Sequence, residues 1–236
     1  MITSAKVSII IPCYNYDNYL VEAVNSILLQ KVNSEVVLET IIVDDCSTDN
    51  SLQVAKIFAK IFDFIKVIHN DTNKKLPYTR NIGIKNSSGD FIICLDADDK
   101  IPTNYIQSNL DNIINNNIDI SYSNSNCFGE IDRIFNWPEF DLHQLRYSNY
   151  IHCSSMFKRK VWEEVGGFDE SFIYGSEDYD FWLMSAKKEF NFKKCNETFL
   201  YYRIKKEGMI ENITSKNKEL VKNQLKNKHG NFYLGG

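Results

Sequence analysis

Three carboxylates, Asp96, Asp98 and Asp99, stand within four residues, directly behind the apolar run Phe91 to Leu95. Acids this crowded repel one another unless a cation or several donors offset them. Hard oxygen donors of this kind suit Mg²⁺ or Mn²⁺, which share their coordination with substrate phosphates. A second acid pair, Asp44-Asp45, follows the run TIIV, and Tyr14-Asn15 follow VSIIIPC. A phenol offers a stacking face for a base, and a carboxylate accepts the donors of a base or a ribose. Further on, Glu177-Asp178 precede the aromatic stretch YDFW. Two neighbouring acids beside an aromatic helix face form a candidate general base tuned by its surroundings. Each group also has a structural reading. The acids can sit at helix N-termini, Gly166-Gly167 can be a helix C-cap, and Arg80 can be a solvated helix residue.

These groups must be positioned by regular elements. Apolar runs predict strands over residues 7–11, 36–43, 66–68 and 91–95. Between them, helical spacing places a helix capped at Asp17 or Asn18, a second opened at Ser47 or Asp49, and a third over 77–87, entered at Pro77. Strands alternating with helices mean βαβ units and a mostly parallel sheet, so residues 1–100 read as a nucleotide-type α/β half. In such a sheet, ligands bind at the C-terminal ends of the strands, where the acids fall. The pattern then loosens over residues 101–210. A helix is expected over 104–115, a strand over 118–122 and an irregular, substrate-facing region over 124–150. Helices over 159–165 and 178–188 and a strand over 199–203 follow. Residues 211–236, with five Lys against two Glu, read as a loosely attached helix and tail.

Composition narrows the function. The 236 residues are 43% hydrophobic, enough for one sizeable core. A net charge of -4 and a pI near 5.6 argue against a general nucleic-acid binder. No apolar run is long enough for a signal peptide or a membrane span. The six cysteines (13, 46, 94, 127, 153 and 195) form no CxxC pair and read as reduced, mostly buried thiols of a cytoplasmic protein. The fingerprints GxGxxG and GxxxxGK[ST] are absent, which removes the usual dehydrogenases and P-loop NTPases.

VSIIIPCYNYDNYL, TIIVDDCSTDNS, RNIGIKNSSGDFIICLDADD, VGGFDESF, EDYDFWLM and FLYYR occur in this order. Together they resemble family 2 glycosyltransferases over residues 6–205. The resemblance implies a GT-A fold, Rossmann-like, with a mostly parallel central sheet, flanking helices and a smaller acceptor-side region. It implies an inverting hexosyl or N-acetylhexosaminyl transferase that uses a nucleotide-diphosphate sugar, a UDP-sugar above all, with Mn²⁺ or Mg²⁺. By the same resemblance Pro12, Tyr14, Asn15 and Asp45 hold the base, Asp44 supports their loop, and Arg80 lies beside the nucleotide. Asp96 faces the ribose and Asp98, in the DXD pattern LDADD, binds the metal. Asp178 is the catalytic base, with Glu177 shaping the acceptor pocket. Gly166, Gly167, Phe168 and Trp182 border the sugars, and Arg203 and Lys205 face the diphosphate. Many members carry a His two residues after that Arg. Here Ile204, Lys205, Lys206 and Glu207 follow. An ammonium has three donors and no acceptor, so Lys205 cannot ligate a metal but can offset diphosphate charge. The implied acceptor is a saccharide or lipid-linked saccharide of a cell-surface polymer or lipooligosaccharide, with at most peripheral membrane contact through the Lys-rich tail.

Two other readings remain open from the residues alone. A nucleotidyltransferase would show a basic, Gly-rich segment after the first strand, where this chain has PCYNYDNY. A non-catalytic sugar- or nucleotide-binding module would not need Asp98 and Asp178, which are both present.

Overall fold

The computed structural model describes residues 4–205 and 215–235. In chain order the strands are β1 (Ala5–Cys13), β2 (Val36–Asp44), β3 (Ile65–His69), β4 (Phe91–Cys94), β5 (Ile120–Gly129), β6 (Arg133–Phe135), β7 (Met156–Lys158) and β8 (Phe192–Ile204). The helices are α1 (Asp17–Leu28), α2 (Ser51–Ile61), α3 (Leu76–Lys85), α4 (Tyr105–Asn116), α5 (Leu142–Tyr147), α6 (Arg159–Val165), α7 (Glu177–Lys187) and α8 (Ser215–His229).

All the strands join one sheet in the order β3-β2-β1-β4-β7-β5-β6, with β8 paired to β5. The first four are parallel, β7 runs antiparallel to both its neighbours, and β5 and β8 are parallel again. Along β1 the pleat divides the side chains between two layers. Val7, Ile9 and Ile11 pack with α1, α2 and α4 on one face, whereas Ile10 packs with α3, α6, α7 and α8 on the other. A strand covered on both faces must be apolar throughout, which is why VSIII carries no alternation. Helix α3 approaches β1 so closely that a Cβ at Gly83 would lie 2.4 Å from Ile10 Cγ2. Only glycine lets α3 sit there and aim Arg80 at the strand ends.

The expected α/β half is present, with boundaries shifted by a few residues. Helix α1 begins at Asp17 with Tyr16 at its cap position, so neither Asp17 nor Asn18 caps it. The second half departs further from expectation. Residues 124–150 are not an irregular loop region, because β5 continues to Gly129 and β6 and α5 follow. The buried positions of that continuation are Ser123, Ser125 and Cys127, small residues that carry no apolar signature. Strand β7, three residues long, was not expected at all and carries the sheet from β4 to β5.

Helix α8 is not loosely attached. Val221, Leu225 and His229 recur at every fourth position and are buried at 8%, 3% and 4% exposure. His229 Nε2 lies 2.8 Å from Asp180 Oδ1, and Lys228 Nζ reaches Asp180 and Asp169 at 2.8 and 2.7 Å. One buried residue per turn was too sparse a stripe to register in so polar a segment. The expectations for 211–214, and the positions Lys206 and Glu207, lie outside the described residues.

Candidate active site

The loops after β1 and β2 are laced together by their own polar residues. Asn15, at φ 59, donates its backbone N–H to Ser47 Oγ at 3.0 Å, and its Oδ1 accepts from the Thr48 N–H at 2.8 Å. The N–H of Tyr16 reaches Ser51 Oγ at 2.8 Å and that of Asp17 reaches Asp49 Oδ2 at 3.1 Å. Asp44 is fully buried, with Oδ2 accepting from the Ser47 N–H at 3.2 Å and meeting His69 Nδ1 at 2.8 Å. Asp45 accepts from Asn70 Nδ2 at 2.8 Å and from the N–H groups of Lys74 and Lys75 at 2.8 and 2.9 Å. Pro12 is buried within β1, and Tyr14, 43% exposed, carries its ring into solvent beyond the strand end. Tyr14 therefore offers a free face, while Asn15, Asp44 and Asp45 build the floor beneath it.

The charged centre is organised by Arg80. Its side chain is 1% exposed, lies 5.6 Å from the centre of the Phe168 ring, and donates to Asp96 Oδ1 at 2.8 Å and to Glu177 Oε1. One guanidinium thus ties the acid at the end of β4 to the acid at the start of α7, 97 residues away from Arg80. A planar fork suits such a double engagement and a lysine does not. Asp178 Oδ2 accepts from Asn149 Nδ2 at 3.1 Å and its Oδ1 from the Tyr179 N–H at 2.7 Å. Burial, then the Glu177 charge, pushes its pKa up to about 7, with Arg80 opposing. Tyr202 packs among these acids: burial first, then Asp99, Asp96, Asp98 and Asp178 all hold its phenol protonated. The strand-end acids and Asp178 therefore share one neighbourhood.

Strand β8 reaches the LDADD turn through a bridge in which the N–H groups of Lys100 and Tyr201 reach each other's carbonyls at 3.2 and 3.0 Å. That bridge fixes the register of the strand's last residues. The Arg203 N–H donates to the buried Asp99 Oδ1 at 2.8 Å, and Lys205 Nζ meets Asp98 Oδ2 at 2.6 Å. Lys205 also donates to the Tyr16 hydroxyl at 3.0 Å and lies 4.2 Å from the centre of that ring. Burial first and then Asp96 raise the Asp98 pKa, with Lys205 opposing.

Several expected site residues lie elsewhere. Trp182 is completely buried and donates its indole N–H to the Ile151 carbonyl at 2.9 Å, so it touches no sugar. Phe168, 2% exposed, stacks 4.6 Å from Phe181 beneath Arg80 and supports that residue rather than a ligand. Gly166 and Gly167, at φ 88 and 82, turn the chain after α6. The guanidinium of Arg203 lies 4.3 and 4.7 Å from the Phe128 and Tyr19 rings, donates to the Asp98 carbonyl at 2.7 Å and pairs with Glu22. Fully engaged, it braces Asp98 and is not free for a diphosphate. Asn81 carried no expectation, yet its Oδ1 accepts from Trp162 Nε1 at 3.0 Å and from the Phe168 N–H at 2.9 Å, clamping the VGGFD turn. Its place directly after Arg80 was the available signal.

The donor set bears on a divalent cation. Asp98 supplies hard oxygens, but Lys205 holds one of them. Among the described residues no group of three or more His, Cys, Asp or Glu could ligate a metal. The residues fit a cation held jointly by Asp98 and substrate phosphates, the usual arrangement for Mg²⁺. They do not fit one held by protein alone.

Comparison with known proteins accords with this geometry. Residues 8–168 match the family described as "Glycosyl transferase family 2", and residues 138–211 match "N-terminal domain of galactosyltransferase". Glycosyltransferase GlyA of Streptococcus pneumoniae is 31% identical over 188 residues, 79% of this chain and 24% of that protein. The putative teichuronic acid biosynthesis glycosyltransferase TuaG of Bacillus subtilis is 28% identical over 217 residues, 90% of this chain and 82% of that one. The chain thus spans about a quarter of GlyA and most of TuaG. The crystal structure of S. aureus TarS 1-349 in complex with UDP-GlcNAc superposes with a TM-score of 0.75 at 19% identity, covering 94% of this chain and 67% of the other. That likeness establishes the GT-A fold. With a family match across more than half its length, this chain belongs to glycosyl transferase family 2.

Proposed function

We propose that this chain is an inverting glycosyltransferase that moves a hexosyl or N-acetylhexosaminyl group from a nucleotide-diphosphate sugar, a UDP-sugar, to an acceptor hydroxyl. The observation that carries the reading is the Arg80 bridge, which joins Asp96 at the donor end of the sheet to Glu177 beside Asp178. The base would stack on Tyr14 above the floor built by Asn15, Asp44 and Asp45, with the ribose toward Asp96. The UDP-GlcNAc in the TarS complex supports a uridine donor.

In the reaction the acceptor oxygen attacks the anomeric carbon from the face opposite the diphosphate. The C–O bond to the acceptor forms as the bond to the diphosphate breaks, and Asp178 takes the hydroxyl proton. One displacement inverts the anomeric centre, and UDP leaves with the bonding electron pair. Asn149 and the Tyr179 N–H hold the Asp178 carboxylate in place, and Arg80 holds Glu177 beside it. Lys205, 2.6 Å from Asp98, sets a positive charge at the donor end of the site, where it offsets charge on the leaving group. A divalent cation, Mn²⁺ or Mg²⁺, shared between Asp98 and the diphosphate would supply further charge stabilisation there.

By likeness to TuaG, the acceptor is a saccharide or lipid-linked saccharide of a bacterial cell-surface polymer. Six free thiols favour a reducing, cytoplasmic setting. No described helix is long and apolar enough to cross a membrane.

Incubation with a panel of UDP-sugars and Mn²⁺, scoring UDP release, tests the reading. Release with at least one donor is expected. Thermal stabilisation by UDP with no release from any donor would mark a binding module instead.

A further inference from the structure

A cleft of about 240 Å³ lies against Ser176 and Tyr179, the residues that flank Glu177-Asp178 in the chain, and is bounded further by α8 and the C-terminal segment. Its size suits a single sugar ring. Tyr174, Tyr179 and Tyr233 line it together with Ser176, the residue immediately before Glu177. Two of the rings are held in place. Tyr179 donates its hydroxyl to the Leu145 carbonyl at 2.7 Å, and Tyr233 packs edge-on against it at 5.9 Å. Tyr174, 41% exposed, and Tyr233 over the buried Tyr179 offer the aromatic surface with a polar rim that a pyranose stacks on.

The remaining lining is cationic. Lys218 and Lys222 stand one helical turn apart on α8 and both face the cleft. Among the described residues neither has a carboxylate partner, and no acid lines the cleft. Their neighbour Lys228 differs, being held by Asp169 and Asp180 at 2.7 and 2.8 Å. The same helix therefore uses one lysine to anchor itself and leaves two unneutralised beside an aromatic pocket. Cations that line a pocket without an acid partner among the described residues favour an anionic occupant.

We propose that this cleft is an acceptor subsite selecting a saccharide that bears an anionic group, a uronate carboxylate or a phosphate, read by Lys218 and Lys222. As an assignment of acceptor class it rests on the glycosyltransferase reading, and its test is a binding measurement that needs no donor. Titration calorimetry of the full chain at low salt compares phenyl β-D-glucuronide, phenyl β-D-glucoside 6-phosphate and neutral phenyl β-D-glucoside. Two partly exposed ion pairs correspond to an advantage of about tenfold for an anionic probe. An advantage in one arm alone identifies the group as carboxylate or phosphate. Lys218→Gln/Lys222→Gln should reduce the advantage to less than about twofold, whereas Lys222→Arg should keep it.

Equal binding of the three probes, an advantage that survives the double substitution, or binding of both anionic probes weaker than about 10 mM overturns the inference. The two readings fail separately. Absence of UDP release from every donor overturns the transferase reading while an anionic-sugar site still registers in calorimetry. UDP release together with equal probe binding overturns only the subsite.

Discussion

Asp178 makes the sharpest test of the proposed chemistry, because its pKa is pushed up to about 7 by burial and the neighbouring Glu177. An ordinary aspartate titrates near ~3.9, so its surroundings disfavour the charged form by ~4 kcal/mol at most. A base with a pKa near ambient pH combines a useful basic fraction with real proton affinity. The kinetic consequence is specific. At about pH 5 only ~1% of a group with pKa ~7 is ionised, so kcat/KM should fall about a hundredfold between pH 8 and pH 5. An unperturbed aspartate would lose less than ~10% over that span. The assay is chromatographic quantitation of UDP release at low donor concentration across the series. Asp178→Asn should lower the rate by two or more orders of magnitude and abolish the limb.

The same shift fixes a stability effect. The folded pKa lies above the unfolded one, so below about pH 4 both states are protonated and Asp178 contributes nothing. Between about pH 4 and 7 the folded state holds more protons, and stability falls as pH rises. Above about pH 7 the penalty is complete, and Asp178→Asn should then raise stability by ~1–4 kcal/mol, several degrees in Tm, with no gain at about pH 4. A flat rate profile from about pH 5 to 8, or a limb that persists in the asparagine variant, refutes Asp178 as the base.

Arg80→Met should leave Asp96 and Glu177 without their shared partner and destabilise the fold by about 3–5 kcal/mol, as for one half of a buried ion pair. In the surviving folded enzyme the acid limb should move to higher pH, because Arg80 holds the Asp178 pKa down; denaturant melts and the pH profile check both. Asp98→Ala should abolish Mn²⁺-dependent tightening of UDP binding in calorimetry, and equal UDP affinity with and without Asp98 would sink the metal assignment. Lys205→Ala should lower turnover, while Lys205→His should tighten Mn²⁺ by exchanging three donors for a lone pair. If neither the rate nor the Mn²⁺ midpoint moves, Lys205 is a bystander despite its 2.6 Å contact with Asp98.

The parallel half of the fold was legible because its strands are covered on both faces. Val7, Ile9, Ile10 and Ile11 are all fully buried, and such a run admits few other readings. The second half hid for the same physical reason in reverse. Ser121, Ser123 and Ser125 are buried at 0%, 0% and 3%, but a serine hydroxyl finds its partner only once the fold exists. Ser121 Oγ, for instance, donates to Asn109 Oδ1 at 2.7 Å. The acids stood out as chemistry, whereas two of the aromatic residues beside them were misassigned. Phe168 and Trp182 read as sugar platforms, yet their place is under the site, where they fix Arg80 and α7. Sequence proximity to an acid says nothing about which way a ring points.

The crowding of Asp96, Asp98 and Asp99 posed the first physical question of this chain, and the fold answers it three times over. Asp96 receives Arg80 from α3, Asp98 receives Lys205 from the end of β8, and Asp99 receives the Arg203 backbone N–H from β8 itself. Arg80 comes from the helix just before β4, but the partners of Asp98 and Asp99 come from β8, about a hundred residues on, so those two acids are offset only when β8 has joined the sheet. The arrangement also separates their roles. Asp99 is buried and structural, and Asp96 is locked to the same guanidinium that holds Glu177. Asp98 alone is met by a single-point cation on a flexible stem, whereas Arg80 is buried and fixed between two acids. Under the proposed chemistry Lys205 would have two favourable positions, on Asp98 as seen here and on the diphosphate once a donor and cation bind. A carboxylate that trades one cation for another keeps its charge offset throughout, so on this proposal donor binding would not leave Asp98 buried and alone.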